Sequence, residues 1–481
     1  MREEHRKSVV PFLLKHLNSN PVSFHMPGHK GSRLFRETGY SEFLNSLMEC
    51  DITEIPGADN LFKAEDVILE TMCRYRQLYD TKASYLLING SSSGLIASIM
   101  STVSKGGKMI MARNCHKSIY NGLTLAEGSP VYVYPEVIEE YGISGEITVE
   151  AVKEVISANP DAQACIIPSP NYYGICSDIA AISEAVHEAG MVLIVDQAHG
   201  AHLKFFDRYR AYGEKDEKLM AAENLGADIV INSTHKTLAS FTQTAIANVC
   251  SDRVDLHTFE QNLQIIQSTS PSYVLMGSLD LNAMLLESHG ETLIREWREN
   301  IDWFRQAAYQ MIPGLKIMDH PMLDDTKINL DMSAYGIDGL ELEEKLIEQG
   351  IYIELAAGDI AMCLTGIGNT REDYRRLAEG LLKISSVLEL KEGRARKDYP
   401  RMGRTALKQV SIPNSKEYVL LEESCGRVCA APIVPYPPGI PVVCPGEVIN
   451  EKILSYIVGL RARGVSVMGV DSDGCIAVGA L

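Results

Sequence analysis

Between residues 85 and 235, short apolar runs alternate with stretches of helical spacing. Tyr85-Leu86-Leu87-Ile88 ends at Asn89-Gly90, and residues 94–103 then have helical periodicity. Met109-Ile110-Met111 is the next strand candidate, and Ala164-Cys165-Ile166-Ile167 ends at Pro168-Ser169-Pro170. Residues 179–189 have helical spacing and stop at Gly190. Met191-Val192-Leu193-Ile194-Val195 ends at Asp196, and Ala227-Asp228-Ile229-Val230-Ile231 runs into Asn232-Ser233-Thr234-His235-Lys236. This alternation predicts a mainly parallel sheet covered by helices. Ligands of such sheets bind beyond the carboxyl ends of the strands. Asn89-Gly90, Pro168-Ser169, Asp196 and Ser233-Thr234 all fall at those ends, and this shared position says more than any one residue.

Residues 280–312 read as a long helical connection to a second α/β region, with Lys327-Ile328-Asn329-Leu330 and Ile351-Tyr352-Ile353-Glu354-Leu355 as strands. Residues 391–404, rich in Lys and Arg, read as a solvated linker. Residues 431–447 hold Pro432, Pro435, Pro437, Pro438, Pro441 and Pro445. Such density excludes a helix or central strand. The stretch is too apolar for a flexible linker, so a packed extended segment is expected. The net charge of −18 argues against nucleic acid as a partner. The 11 cysteines include no Cys-x-x-Cys pair, which suits reduced thiols in a cytoplasmic protein. No apolar run approaches a membrane span, and Met1-Arg2-Glu3-Glu4-His5-Arg6-Lys7 lacks a signal peptide's apolar core.

Lysine is rarely buried without a partner or a covalent role. At the end of a buried strand, Lys236 is placed either as an exposed strand-end residue or as a Schiff-base former with a carbonyl cofactor such as pyridoxal phosphate. Ser233 and His235 beside it suit a phosphate. Ser91, Ser92 and Ser93 open a helix after a strand and form a phosphate cradle or a capped turn. Asp196 ends the most apolar strand, where a carboxylate is costly unless paired. A protonated pyridine nitrogen would pair it, as would an N-cap or a buried cation. His199 and His202 follow, as an active-site wall rather than a metal site, since no second cluster has ligand spacing. His116 follows a strand and is either a ring-stacking group or a structural histidine. Glu447, after the proline-rich segment, either meets a substrate cation or caps a helix starting near Val448.

These segments together resemble the Orn/Lys/Arg decarboxylase family of fold-type I pyridoxal-phosphate enzymes. The carrying motifs are His25-Met26-Pro27-Gly28-His29-Lys30, Asn89-Gly90-Ser91-Ser92-Ser93, Arg113-Asn114-Cys115-His116-Lys117, Asp196-Gln197-Ala198-His199-Gly200, Ser233-Thr234-His235-Lys236 and Gln267-Ser268-Thr269-Ser270-Pro271. Pro435-Tyr436-Pro437-Pro438-Gly439-Ile440-Pro441 through Pro445-Gly446-Glu447 extends the match. The resemblance implies an α/β fold: a mainly parallel sheet with helices on both faces, a small α/β domain and a C-terminal α+β domain. It divides the chain into an N-terminal segment (1–50), a large cofactor-binding domain (51–295), a small domain (296–390) and a C-terminal domain (391–481).

Carried over by position, Lys236 is the Schiff-base lysine, Asp196 pairs with the pyridine nitrogen, and His116 stacks on the ring with His199 nearby. Ser91, Ser92, Ser93, Ser233 and His235 surround the phosphate. Thr269 completes that site from a neighbouring subunit, which requires at least a homodimer. The implied reaction is decarboxylation of a basic amino acid, arginine ahead of lysine and ornithine, in polyamine synthesis. An aminotransferase or other lyase of the same fold is the alternative, with Arg371 as a carboxylate-binding candidate; a catalytically silent regulator is another. Two departures stand out. Serines replace threonines common in the loop at 90–93, and Gln197 stands where short forms often carry glutamate. The large wing domain of the inducible bacterial members is missing, so the chain looks like the short form.

Overall fold

The apolar runs of the first half form one seven-stranded sheet. From edge to edge its strands are Ala83–Leu87, Ala245–Val249, Ile229–Asn232, Val192–Asp196, Ala162–Pro168, Lys108–Ala112 and Ser129–Val133. Only Ala245–Val249 runs against its neighbours; the other pairings in the sheet are parallel. The computed structural model describes residues 8–213, 219–391, 407–410, 412–413, 415–436 and 439–480. The expected linker at 391–404 lies almost wholly outside them, as do Pro437 and Pro438.

Neighbouring residues along the strands feed different cores, because side chains alternate across a sheet. Leu86 and Ile246 join a core with the helices Val67–Tyr79 and Tyr273–Met311. Leu87, Ala245 and Ala247 join another with the helices Gly90–Thr102, Lys117–Leu125 and Ile179–Glu188. Both faces are therefore covered, as a parallel sheet requires. The helix after the first strand starts at Gly90, four residues earlier than its periodicity suggests. Ser91 to Ser93 therefore lie inside its first turn rather than before it.

The 39-residue helix Tyr273–Met311 leads to a four-stranded antiparallel sheet, ordered Lys316–Ile317, Lys327–Asp331, Ile360–Leu364, Leu355–Ala357. The expected strand at 351–355 breaks at Glu354. Ile351–Ile353 instead pairs in parallel with Val22–Phe24 near the chain's start. The helices Gly339–Glu348 and Arg371–Ser386 both begin with capping boxes, at Asp338 and Thr370. A separate core around Leu421, Ile433, Val443, Ile457 and Val478 holds the last region. Its helix spans Glu451–Ala462, capped by Asn450 rather than starting at Val448. Among the described residues no helix is long and apolar enough to cross a membrane.

Three glycines lock the N-terminal segment against the turn that carries Lys236. The Gly28 N–H donates to the His235 carbonyl at 2.7 Å, and the Gly368 N–H donates to the Gly28 carbonyl at 3.0 Å. A Cβ on Gly28 would lie 2.4 Å from the Thr237 carbonyl carbon, and one on Gly366 would lie 2.7 Å from Gly28 Cα. The backbones are too close for any side chain. Gly28→Ala should therefore destabilise the fold by roughly 1–3 kcal/mol, an overpacking cost that a urea titration would register.

Candidate active site

The carboxyl ends of Ala162–Pro168, Val192–Asp196 and Ile229–Asn232 open onto one small cavity of about 50 Å³. Ser91, Asn114, His116, Asp196, His199 and Lys236 line it, with Pro168, Pro170 and Tyr172. Lys236 Nζ lies 2.9 Å from His199 Nε2, and 5.8 Å from the centre of the Tyr172 ring. Tyr172 in turn packs on His199, ring centres 4.4 Å apart. A larger cleft, about 430 Å³, lies between Leu61, Arg76, Tyr85 and Gln264 but gathers no comparable set of groups.

Burial drives the electrostatics of this cavity. It pushes the Lys236 amine below its usual range, with Lys327 adding to the effect and Asp196 and Glu354 opposing it. It pushes His199 well below the imidazole range, helped by Lys236. His199 is therefore a neutral acceptor for the lysine. Burial raises the Asp196 carboxyl, against the pull of Lys236 and a hydrogen bond from the Ala198 N–H at 3.2 Å. His116 caps the helix Lys117–Leu125: its Nδ1 accepts from the Ser118 N–H at 3.3 Å and lies 2.8 Å from Ser118 Oγ. That pair of contacts sets the ring's orientation at the cavity wall. The His235 Nδ1 donates to the Thr244 carbonyl at 2.6 Å, so this ring is also held from behind.

Several polar atoms here lack a partner. His199 Nδ1, Asn114 Oδ1 and Ser233 Oγ are buried without one, a costly condition unless a ligand supplies it. The helix starting at Gly90 adds first-turn amides that have no intrahelical acceptor. An anion with an aromatic ring fits these groups: the phosphate at the helix N-terminus, the ring between His116 and the strand ends. Ser91 faces the cavity and Ser92 is half-buried, whereas Ser93 Oγ is turned back to the Gly90 carbonyl at 2.7 Å.

Other expected residues lie elsewhere. Glu447 does not line the cavity. It is 1% exposed and forms a two-point ion pair with Arg113, at 2.9 Å to Nη2 and 3.2 Å to Nε, while accepting from the Cys444 N–H. Its expected role as a substrate carboxylate is corrected accordingly: the proline-rich segment aims it at an internal cation, docking the C-terminal region beside His116. Gly439 of the same segment sits so close that a Cβ there would meet the His116 ring at 3.5 Å. Thr269 is exposed and does not line its own chain's cavity. Arg371 is a surface residue bonded to Asn300 and lying over Trp303, far from any carboxylate-binding role here. Gln197 is fully used below the site. Its amide donates to Glu223 and Asn232 and accepts from the Ala222 N–H. A glutamate could not donate to Glu223, which accounts for the amide.

Sequence reasoning passed over Tyr172 and Asn114, although both follow strands already marked by their ends. It also left Lys30 without a role. That lysine donates to the His25 and Leu364 carbonyls, and burial brings it down to about 7.

A lysine and an aspartate at neighbouring strand ends of such a sheet, beside a serine-rich helix start, define the class of fold-type I pyridoxal-phosphate enzymes. The fold is shared with Escherichia coli constitutive lysine decarboxylase, at a TM-score of 0.74 and 20% identity over 98% of this chain and 82% of that one. It is shared more loosely with a Pseudomonas fluorescens L-threonine transaldolase, at a TM-score of 0.59, 14% identity, and 79% and 88% coverage. The chain belongs to the Orn/Lys/Arg decarboxylase family, whose major domain matches residues 9–331 and whose C-terminal domain matches residues 395–473. Among curated relatives, an arginine decarboxylase of Bacillus subtilis is 28% identical, covering 98% of this chain and 96% of its own. A lysine decarboxylase of Pseudomonas aeruginosa is 24% identical, covering 96% and 77%. The protein is thus a pyridoxal-phosphate-dependent decarboxylase of basic amino acids.

Two outcomes follow from this geometry. Glu447→Gln should cost about 3–5 kcal/mol in a denaturant titration, because it leaves Arg113 buried without its counter-charge. Burial lowers His25, His29, His116 and His235 from 6.5 to about 4. The unfolded chain thus takes up protons below about 6.5 that the folded protein refuses until about 4. In the cofactor-free protein, the urea midpoint should fall as pH drops through that window; a midpoint rising there would contradict the neutral histidines.

Proposed function

We propose that this enzyme converts L-arginine to its decarboxylated amine, with lysine and ornithine as poorer substrates, as a step toward polyamines. The observation that carries the catalytic part is the buried contact between Lys236 and His199 beside Asp196. Support for arginine comes from the relatives: the Bacillus subtilis arginine decarboxylase is 28% identical over 98% of this chain, against 24% over 96% for the Pseudomonas aeruginosa lysine decarboxylase.

Lys236 would hold the cofactor's aldehyde carbon, and its lowered pKa favours loss of the amine's proton. Ser91, Ser92, Ser233 and His235 surround the phosphate, and Thr269 of a second copy completes that site in a homodimer. Asp196, at its strand end in the cavity, would pair with the pyridine nitrogen and hold a proton there. When bound, pyridoxal phosphate supplies an electron sink for the pair released as the substrate's carboxylate departs as carbon dioxide. His116 would stack on the cofactor ring, and its Ser118 contacts hold the imidazole in orientation. Lys236 Nζ, after taking a proton from the substrate's α-ammonium, would return one to the substrate carbon, while His199 Nε2 accepts from the amine and keeps it aimed. Glu354, half-buried at a strand break, accepts from the Met26 N–H at 3.0 Å, and its charge is felt at Lys30, Lys236 and Tyr172. The remote position of Arg371 weighs against an aminotransferase.

A panel of L-arginine, L-lysine and L-ornithine, with carbon dioxide and product amine both measured, tests this. Arginine should give the highest kcat/KM. Keto-acid in place of carbon dioxide, or no product from any of the three, would overturn the proposal. Lys236→Ala should remove the long-wavelength absorbance of the bound cofactor and lower turnover by at least ~10²-fold.

A further inference from the structure

A charged cluster with no assigned role lies directly beneath the site. Asp324, Thr326 and Lys327 stand at the start of the strand Lys327–Asp331, and the Asp324 and Lys327 side chains are 1% and 0% exposed. Lys327 Nζ donates to Asp324 Oδ2 and to the His199 carbonyl, both at 2.5 Å. Asp324 Oδ1 accepts from Thr326 Oγ1 at 2.7 Å and from His202 Nε2 at 3.2 Å. The other nitrogen of His202 meets Thr237 Oγ1 at 3.1 Å. Two arms therefore leave one carboxylate. One runs through Lys327 to the backbone of His199. The other runs through His202 to Thr237, the residue after Lys236. One arm thus ends on His199 and the other on the neighbour of Lys236, and the His199 and Lys236 side chains meet at 2.9 Å.

We infer that Lys327, held by Asp324, is a positioning residue that keeps His199 within reach of Lys236, while His202 anchors the Lys236 turn to the same carboxylate. A buried ion pair is poor value as a source of stability, since apolar residues of similar volume often serve as well. Its geometry is what apolar residues cannot reproduce: an ammonium under one carbonyl and an imidazole against one hydroxyl. Both arms cross from the second sheet to the first, so the cluster also sets how the small region meets the cofactor cavity. The kinetic part of this inference rests on the decarboxylase reading; the structural part does not.

The test is the pair Asp324→Asn with Lys327→Met, which removes both charges together and so avoids leaving either one buried alone. Thermal melting and near-UV dichroism check the fold, and Lys327→Leu in the same background serves if the methionine form is poorly folded. Expected is a melting temperature close to wild type, a kcat lowered about 10²-fold and a KM within about threefold, the signature of misplaced groups in an intact pocket. In the cofactor-free protein, labelling of Lys236 by an amine-reactive reagent, followed by mass spectrometry, should become about tenfold faster, equivalent to about 1.4 kcal/mol of lost restraint. Loss of the Lys327 charge alone would slow labelling, because that cation helps lower the Lys236 pKa. Unchanged or slower labelling would overturn the inference, whatever the kcat. If the wild-type enzyme released no carbon dioxide, the labelling experiment would still decide it.

Discussion

The molecule is organised around one requirement: an amine must be drawn out of water and aimed. Lys236 meets it through a single short contact with His199, itself kept neutral by burial. An amine in such a place loses water's stabilisation of its charged form, which is why it becomes available for covalent chemistry. Everything around it serves to hold its position. The parallel sheet supplies adjacent strand ends, the N-terminal segment grips the Lys236 turn through Gly28, and the second sheet reaches beneath it through Ile367 and Lys327.

The strand ends of the first half were open to view in the sequence because each is announced locally. A run of buried-strand residues ends, and a glycine, proline or polar residue follows. That pattern put Asp196 and Lys236 at the carboxyl ends of strands, the fold made those strands neighbours, and the family resemblance supplied what the residues would do. The limits of local information show in the helix start. Ser91 to Ser93 have weak apolar periodicity, so the helix was placed late, although the turn before it was recognised.

Glu447 shows a different limit. Its partner Arg113 lies in another part of the chain, and nothing near either residue signals the pairing. A carboxylate behind a rigid proline-rich segment is aimed at something, but the sequence cannot say whether the target is a substrate or an arginine of the same chain. The cluster of Asp324, Lys327 and His202 was equally hidden. Lys327 read as an ordinary strand start, and only the folded chain brings its ammonium under His199. Long-range pairs of charge are the part of a site that periodicity does not encode, since each member looks like a surface residue until its counterpart is found.

The proline-rich segment of the C-terminal region, pinned by Arg113, brings Gly439 against the edge of His116. The backbone there is left-handed, with φ of 83°, and no side chain intervenes. The His116 ring is therefore backed by main chain from a distant part of the sequence, so any side chain introduced at Gly439 would disturb a wall it does not itself line.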